Sequence, residues 1–484
     1  MTAQNPLDKI KHIVVVMFEN RSFDHMLGYL YADQKNVSPL GRPFEGLTGD
    51  ESNPDADGNA VKVFPIDAKG KHPYFMPGSD PGEGFLNTNS QLFGTWKPTS
   101  HTKATGQGFI TDYASTLKFE HQVKMGILEG TEPSDIMGMY TPDLLPVLSG
   151  LAKGYAVCDR YHCSVPTETI PNRAFMHLAT SQGILRDFDE TTHKPYQYTA
   201  PSIFGSLSKH HRTWKIYGYD AMPLSRETCS DITHDPLSQF GKFKDFQADV
   251  ASETLAGYTF LEPQWGSDGN SQHPNYDVSL GEQFLHDIYT TLHGSKLWAD
   301  TLLIINFDEH GGCYDHVIPP ANAVPPGPPP PGGNEYDFDF TRFGIRVPCV
   351  LVSPWIEAGT VFRPAGETPF DHTSILATIE AKWNLPPLTE RDKAAPHMGG
   401  VLTLSEARTD DPIAGVTPPS SGRPAKADAA PSHLHQVHAG YLHHRQTGGK
   451  GPAPTFATDA HAKKYIHERE RASEAGGASS GASG

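Results

Sequence analysis

The sequence predicts an α/β protein built on an open, mostly parallel sheet. Three observations carry this. Apolar, β-branched runs at 13–18, 301–307 and 346–353 show no alternation of polar residues, as expected for strands covered on both faces. Helical apolar spacing follows or precedes them at 282–294 and 371–383. The polar clusters 19–24 and 308–316 come directly after two of the runs, where open α/β sheets place their active residues.

Taken in chain order, Lys11 and His12 lead into the first strand, and Glu19-Asn20-Arg21-Ser22 close it. Residues 31–110 are rich in Gly, Pro, Asp and Asn and read as a long surface excursion. Residues 186–275 have few long periodic segments and read as a second insertion. Phe284, Leu285, Ile288, Tyr289 and Leu292 share a helix face ahead of the strand at 301. Pro348 argues for an edge position or an early bend in the strand at 346–353. Asp371 and Ser374 are first-turn caps for the helix that follows. The prolines of 325–333 make a stiff loop. From these signals residues 1–395 form the main folded domain. Residues 396–484 form a Pro/Ala/Gly/His-rich tail that is partly disordered, with a short charged helix near 460–474. Eight of the 25 histidines fall in that tail and read as solvated linker residues.

Composition excludes several classes. Lys plus Arg number 39 against 56 Asp plus Glu, a formal charge of -17, so a nucleic-acid partner would meet net repulsion. No run of 18 apolar residues exists to span a membrane. The stretch 13–18 is too short for a signal sequence, which leaves a cytoplasmic location as the sequence stands, or export after a signal has been removed. Five cysteines make no disulfide framework, although Cys158 and Cys163 are close enough to pair across a loop.

Three stretches can carry chemistry. Glu19-Asn20-Arg21 offers a cation ligand and an amide for a phosphoryl oxygen, or else a helix cap through Asn20 and Ser22. Asp308-Glu309-His310-Gly311-Gly312-Cys313-Tyr314-Asp315-His316 crowds like charges that a cation or shared proton would stabilise, unless the loop simply faces water. The segment 164–173 sets Ser164, Thr167 and Thr169 before Asn172 and Arg173, with a hydroxyl to attack phosphorus, although Ser/Thr with Pro is also ordinary turn material. His273-Pro274-Asn275-Tyr276-Asp277 and Phe370-Asp371-His372 add acid–imidazole pairs that are as often structural. Neither a GxSxG elbow nor a P-loop is present.

These blocks, in this order and spacing, resemble the bacterial phosphoesterase family. That family contains phospholipases C of the phosphatidylcholine-specific, non-zinc-cluster type and a respiratory-burst-inhibiting acid phosphatase. The resemblance covers about residues 10–395 and rests on 19–25, 158–164, 169–173, 308–317, 346–348 and 370–374. It implies an alkaline-phosphatase-like α/β/α sandwich with long loop insertions. It also implies Thr169 as nucleophile and a divalent metal ion of unspecified identity held by Glu19, Asp308, Glu309 and Thr169. Asn20 and Asn172 would contact phosphoryl oxygens, and His273 and His310 would donate protons or bind phosphate. Ser164 is the competing nucleophile on chemical grounds alone.

The reaction implied is a two-step hydrolysis through phosphothreonine, by a phospholipase C acting on phosphatidylcholine-like diesters. The alternative is a broad-specificity acid phosphatase acting on monoesters. The partner is a small phosphoester or a phospholipid head group, with transient contact at a membrane surface and no nucleic acid. Oligomeric state is left open. A sulfatase-like hydrolase would want a modifiable Cys or Ser, and Cys163 lies too far before Thr169 to serve. An inactive metal-stabilised binding protein is the non-enzymatic alternative. Some family members carry histidine where Glu83 stands, so the head-group or metal surroundings differ here. Trp214, Trp265 and Tyr276 are candidates for a choline cage.

Overall fold

His12–Phe18 forms strand β1, and six of its seven residues are buried. Side chains covered on both faces each contribute roughly 1.5–3 kcal/mol when fully buried, so this run sets the centre of the sheet. The computed structural model describes residues 5–123, 126–189, 194–424 and 429–480, with side chains to 471. The other sheet strands are β2 (Ala156–Val157), β3 (Trp214–Gly218), β4 (Phe240–Lys242), β5 (Tyr258–Leu261), β6 (Thr301–Phe307), β7 (Cys349–Val352) and β8 (Thr360–Val361). Their order is β4-β3-β5-β1-β6-β7-β2-β8. Every pairing is parallel except those of β7, which runs against β6 and β2. This is the mostly parallel α/β sheet that the apolar runs predict.

Register places the chemistry. Phe18 pairs with Phe307, so Glu19 and Asp308 leave adjacent strands side by side. Helices α1 (Phe23–Leu27), α2 (Phe85–Phe93), α3 (Thr169–Leu178), α4 (Val278–His293) and α5 (His372–Trp383) cover or border the sheet. Asp371 and Ser374 cap α5 reciprocally, as the sequence indicates. The five cysteines are all free and buried, so Cys158 and Cys163 do not pair.

Three expectations change. Residues 186–275 are not simply an insertion, because β3, β4 and β5 come from them and build one side of the sheet. These strands are only three to five residues long, too short for a periodic signal. The segment after Pro348 is interior, not an edge. β7 begins at Cys349, so the proline stands outside the ladder it would interrupt. The tail is packed structure: helices α6 (His433–Thr447) and α7 (Asp459–Ser480) lie against each other and against the body. Tyr441 donates to the Tyr196 carbonyl at 2.6 Å, and Arg445 pairs with Glu227 at 3.2 Å. His435 and His438 are buried, not solvated. Of the ten C-terminal residues read as disordered, 475–480 belong to α7 and 481–484 lie outside the described residues. No described helix is long and apolar enough to cross a membrane.

A buried ion network ties the loop after β6 to α1. Arg346 pairs with Asp24 at 2.8 Å and with Asp315 at 2.9 Å, all three without exposed side chains, or nearly so. His316 meets Asp24 at 2.6 Å. Arg346→Leu leaves two buried carboxylates without their arginine and should cost about 3–5 kcal/mol, read as a lowered midpoint in urea unfolding. Burial pulls His316 down, but Asp24 outweighs it and holds its pKa above 6.5. Its contribution is therefore complete below pH 6.5 and fades as pH rises through the raised folded value. The stability gap between wild type and His316→Gln should narrow in alkaline buffer.

Candidate active site

Asn20 connects three segments of the chain. Its backbone turns through a positive φ of 55°, a conformation that asparagine tolerates better than most residues. This brings its amide N–H to Asp308 Oδ1 at 2.9 Å. Its side-chain Oδ1 accepts from Thr169 Oγ1 at 3.0 Å, and its Nδ2 donates to Glu83 Oε2. Thr169 is the first residue of α3 and is 1% exposed. The next amide, that of Ile170, donates to Asp187 Oδ1 at 2.7 Å. One turn along α3, Arg173 pairs with Asp308 Oδ2 at 2.9 Å, and its guanidinium lies 4.8 Å from the Trp265 ring.

Glycines let the β6 loop close on this point. Gly311 has φ +58°, and its amide donates to Glu309 Oε2 at 2.7 Å. The other Glu309 oxygen, Oε1, is buried without a partner. Gln91 fixes the proton on His310. Its Nε2 donates to the Gly82 carbonyl and to Asp112 Oδ2, so its Oε1 accepts from His310 Nε2 at 2.7 Å. Burial holds His310 near pKa 3, so the ring is neutral and Nδ1 carries a lone pair. That nitrogen has no hydrogen-bond partner and lies 3.2 Å from Glu309 Oε2.

Carboxylates dominate the remaining electrostatics. Burial raises Glu19 to about 7, with Asp308 adding to the rise and His273 opposing it. Asp80 and Asp187 are each raised to about 7, chiefly by burial. Glu309 is pushed well up by burial and by Asp308, and Glu83 by burial and by Glu309, Asp80 and Asp187. Arg21 opposes the rise at Asp80, but its N–H groups are taken by the carbonyls of Gln272, His273 and Met76.

The structure thus brings Glu19, Asn20, Thr169, Asp308, Glu309, His273 and His310 to one place, and it changes several expected roles. Asn172 does not face a phosphoryl site: its amide donates to the carbonyls of Val165, Thr167 and Glu168 and accepts from Val165 N, which braces the loop before Thr169. His310 is no proton donor, because its one N–H is committed to Gln91. Both oxygens of Asp308 already accept hydrogen bonds, Oδ1 from Asn20 and Glu309 and Oδ2 from Arg173. Ser164 donates to Asp371, which pairs with Arg391, and so is spent on a structural network. His273 remains open, because its Nδ1 faces the Pro274 carbonyl at 2.9 Å and its Nε2 lies 3.7 Å from Asp80. Trp214 and Trp265 are core residues of the sheet and its flank, and Tyr276 packs on His273, so they form no cage.

Asp187 and His433 are site residues that sequence reasoning missed. Asp187 falls in the supposed insertion and His433 in the supposed linker, and neither has a local motif. His433 Nδ1 lies 3.2 Å from Asp187 Oδ2. Beside the cluster, α2 begins two residues after Glu83 and borders an open cavity of about 670 Å³. Phe85, Phe93, Trp96, Tyr336 and Phe338 line it, with Trp96 59% and Tyr336 45% exposed. A larger cavity of about 810 Å³ runs along the 325–331 proline segment and touches no candidate catalytic residue.

Comparison with known proteins shows the family of the chain. The model of the Phosphoesterase family matches residues 10–386. Non-specific phospholipase C1 of Arabidopsis thaliana is 35% identical over 396 residues, covering 79% of this chain and 69% of its own. Phospholipase C B of Mycobacterium tuberculosis is 28% identical over 422 residues, covering 78% and 74%. Among solved structures, an alkaline phosphatase superfamily protein from Vibrio parahaemolyticus overlaps 54% of this chain and 66% of its own. It does so at TM-score 0.31 and 15% identity.

Gly311→Ala tests the closure of the β6 loop. A Cβ there would stand 2.1 Å from the Asn20 carbonyl oxygen. The displacement should move Asn20 off Thr169 and lower turnover by about 100-fold, the scale expected of a 1 Å misplacement. Folding should survive, as read by circular dichroism beside the rate assay.

Proposed function

The chain belongs to the Phosphoesterase family and is an enzyme acting on phosphoesters, and we propose that it is a phospholipase C that cleaves phospholipid diesters with Thr169 as nucleophile. The observation that carries this is the hydrogen bond from Thr169 Oγ1 to Asn20, at a helix start beside the carboxylates that end β1 and β6. The relatives named as phospholipases C support the diester substrate. So does the aromatic cavity next to Glu83, whose exposed Trp96 and Tyr336 suit contact with acyl chains at a membrane surface. Arg342 stands among its rings, 4.8 Å from Phe93, so the aromatic cluster already holds a cation. The cavity therefore does not serve as a choline cage.

The residues present fit a divalent cation. Glu309 Oε1 and His310 Nδ1 are two buried, unpartnered ligand atoms of neighbouring residues, in a cluster with an excess of negative charge. Glu19, Glu309 and the Thr169 oxygen would hold the ion, with Asp308 at its edge already tied to Arg173. Such an ion neutralises phosphate charge and lowers the pKa of a bound hydroxyl.

The protein's own groups do the rest. Asn20 aims Thr169 Oγ1, and the bracing of the 165–168 loop by Asn172 keeps it there. As Oγ1 bonds to phosphorus, its proton passes to a carboxylate of the cluster. The bond from phosphorus to the diacylglycerol oxygen breaks, and that oxygen takes the Nε2 proton of His273, whose Nδ1–H stays on the Pro274 carbonyl, so the ring acts as the imidazolium beside Asp80. Water then attacks the phosphothreonine and gives its proton to His273, the phosphorus–Oγ1 bond breaks as Oγ1 recovers the proton from the carboxylate, and the phosphorylated head group leaves.

Thr169→Ala should lower hydrolysis of p-nitrophenyl phosphorylcholine by about 1,000-fold or more, while Thr169→Ser keeps measurable activity. Removing metal with a chelator should abolish the rate, and adding divalent ion should restore it. Full activity in Thr169→Ala, or after verified metal loss, would overturn the corresponding assignment. Faster release from p-nitrophenyl phosphate than from the phosphorylcholine ester would favour the acid phosphatase.

A further inference from the structure

We propose that Glu83, Asp187 and His433 form a binding site for a second divalent cation, with its imidazole ligand supplied by the tail. Each of the three offers one ligand atom, and these atoms all lie within 4.8 Å of one another. Asp187 is fully buried. Its Oδ1 accepts the Ile170 amide, but its Oδ2 makes no hydrogen bond and points at His433, 3.2 Å away. Glu83 offers Oε1, since its Oε2 takes the Asn20 amide.

His433 is placed there by design of the tail, not by a loose end. It is the first residue of α6, whose cap Ser432 accepts from His435 N at 3.1 Å. The Ser432 amide donates in turn to Asp459 Oδ1 at 2.8 Å, and His435 meets the same oxygen at 2.7 Å. The start of α7 therefore clamps the start of α6 with His433 turned toward the body.

Charge makes the same demand. A cation held at the β1 and β6 ends leaves Asp80, Glu83 and Asp187 facing the volume an anionic phosphoester must enter. The nearest arginines are already committed, Arg173 to Asp308 and Arg21 to backbone carbonyls. Two carboxylates and an imidazole suit Mn²⁺, Fe²⁺ or Zn²⁺. The neighbouring group Asp80, Glu83 and His273 shares Glu83 and leaves His273 for the leaving oxygen. This inference goes beyond the proposed reaction and does not depend on which phosphoester is cleaved.

The test counts ions, not turnover. The full chain is stripped of metal and titrated with Mn²⁺, and the free ion is followed by electron paramagnetic resonance. Wild type should bind two per chain, and His433→Ala and Asp187→Asn one each. Glu309→Gln should lose the other ion and keep this one. Asp187→Asn retains the acceptor for Ile170 N, so it reports even if His433→Ala unfolds the tail. One ion in wild type, unchanged in both variants and lost in Glu309→Gln, overturns the second site and leaves the proposed function standing. One ion lost in His433→Ala but kept in Glu309→Gln upholds this site and overturns the metal assignment at Glu309. No bound ion overturns both.

Discussion

Six carboxylates, from Glu19, Asp80, Glu83, Asp187, Asp308 and Glu309, share one largely buried region with two committed arginines, Arg173 and Arg21, at its edge. Burial and mutual repulsion both work against ionising them together. The surrounding fold is arranged to hold that unfavourable cluster in place. Two parallel strands in register deliver Glu19 and Asp308, a left-handed asparagine and a left-handed glycine turn the loops toward each other, and backbone amides pin individual oxygens. A cation would complement the charge of such a site.

The supporting shell is as specific as the cluster. Gln91 sets the tautomer of His310, Asn172 holds the loop in front of Thr169, and Asp187 takes the first amide of the helix that carries Thr169. Each residue acts by positioning another, and Asn172, expected at a phosphoryl oxygen, contacts backbone carbonyls instead. The Arg346 network does similar work at the back of the β6 loop, where Asp315 and Asp24 meet one guanidinium.

The tail changes the outline of the enzyme. A segment with little apolar periodicity nonetheless forms two helices, fastened by His435, Tyr441 and Arg445 to each other or to the body. Through it, one end of the chain closes a site whose other groups come from residues 19 to 309.

The sequence alone determined the sheet and the strand-end chemistry. Continuous apolar runs such as 13–18 and 301–307 have no stable place except a doubly covered strand, and polar residues directly after them must emerge at the strand ends. Thr169 entered only through family resemblance, since its stretch of hydroxyls reads locally as a turn. Tertiary structure alone decided the rest. The short strands β3 to β5 gain their order from neighbours, not from their own pattern. Asp187, Gln91 and His433 lie 17, 219 and 246 positions from Ile170, His310 and Asp187, the partners they meet. No local spacing encodes contacts of that kind, because they exist only once the sheet has brought distant segments to one edge.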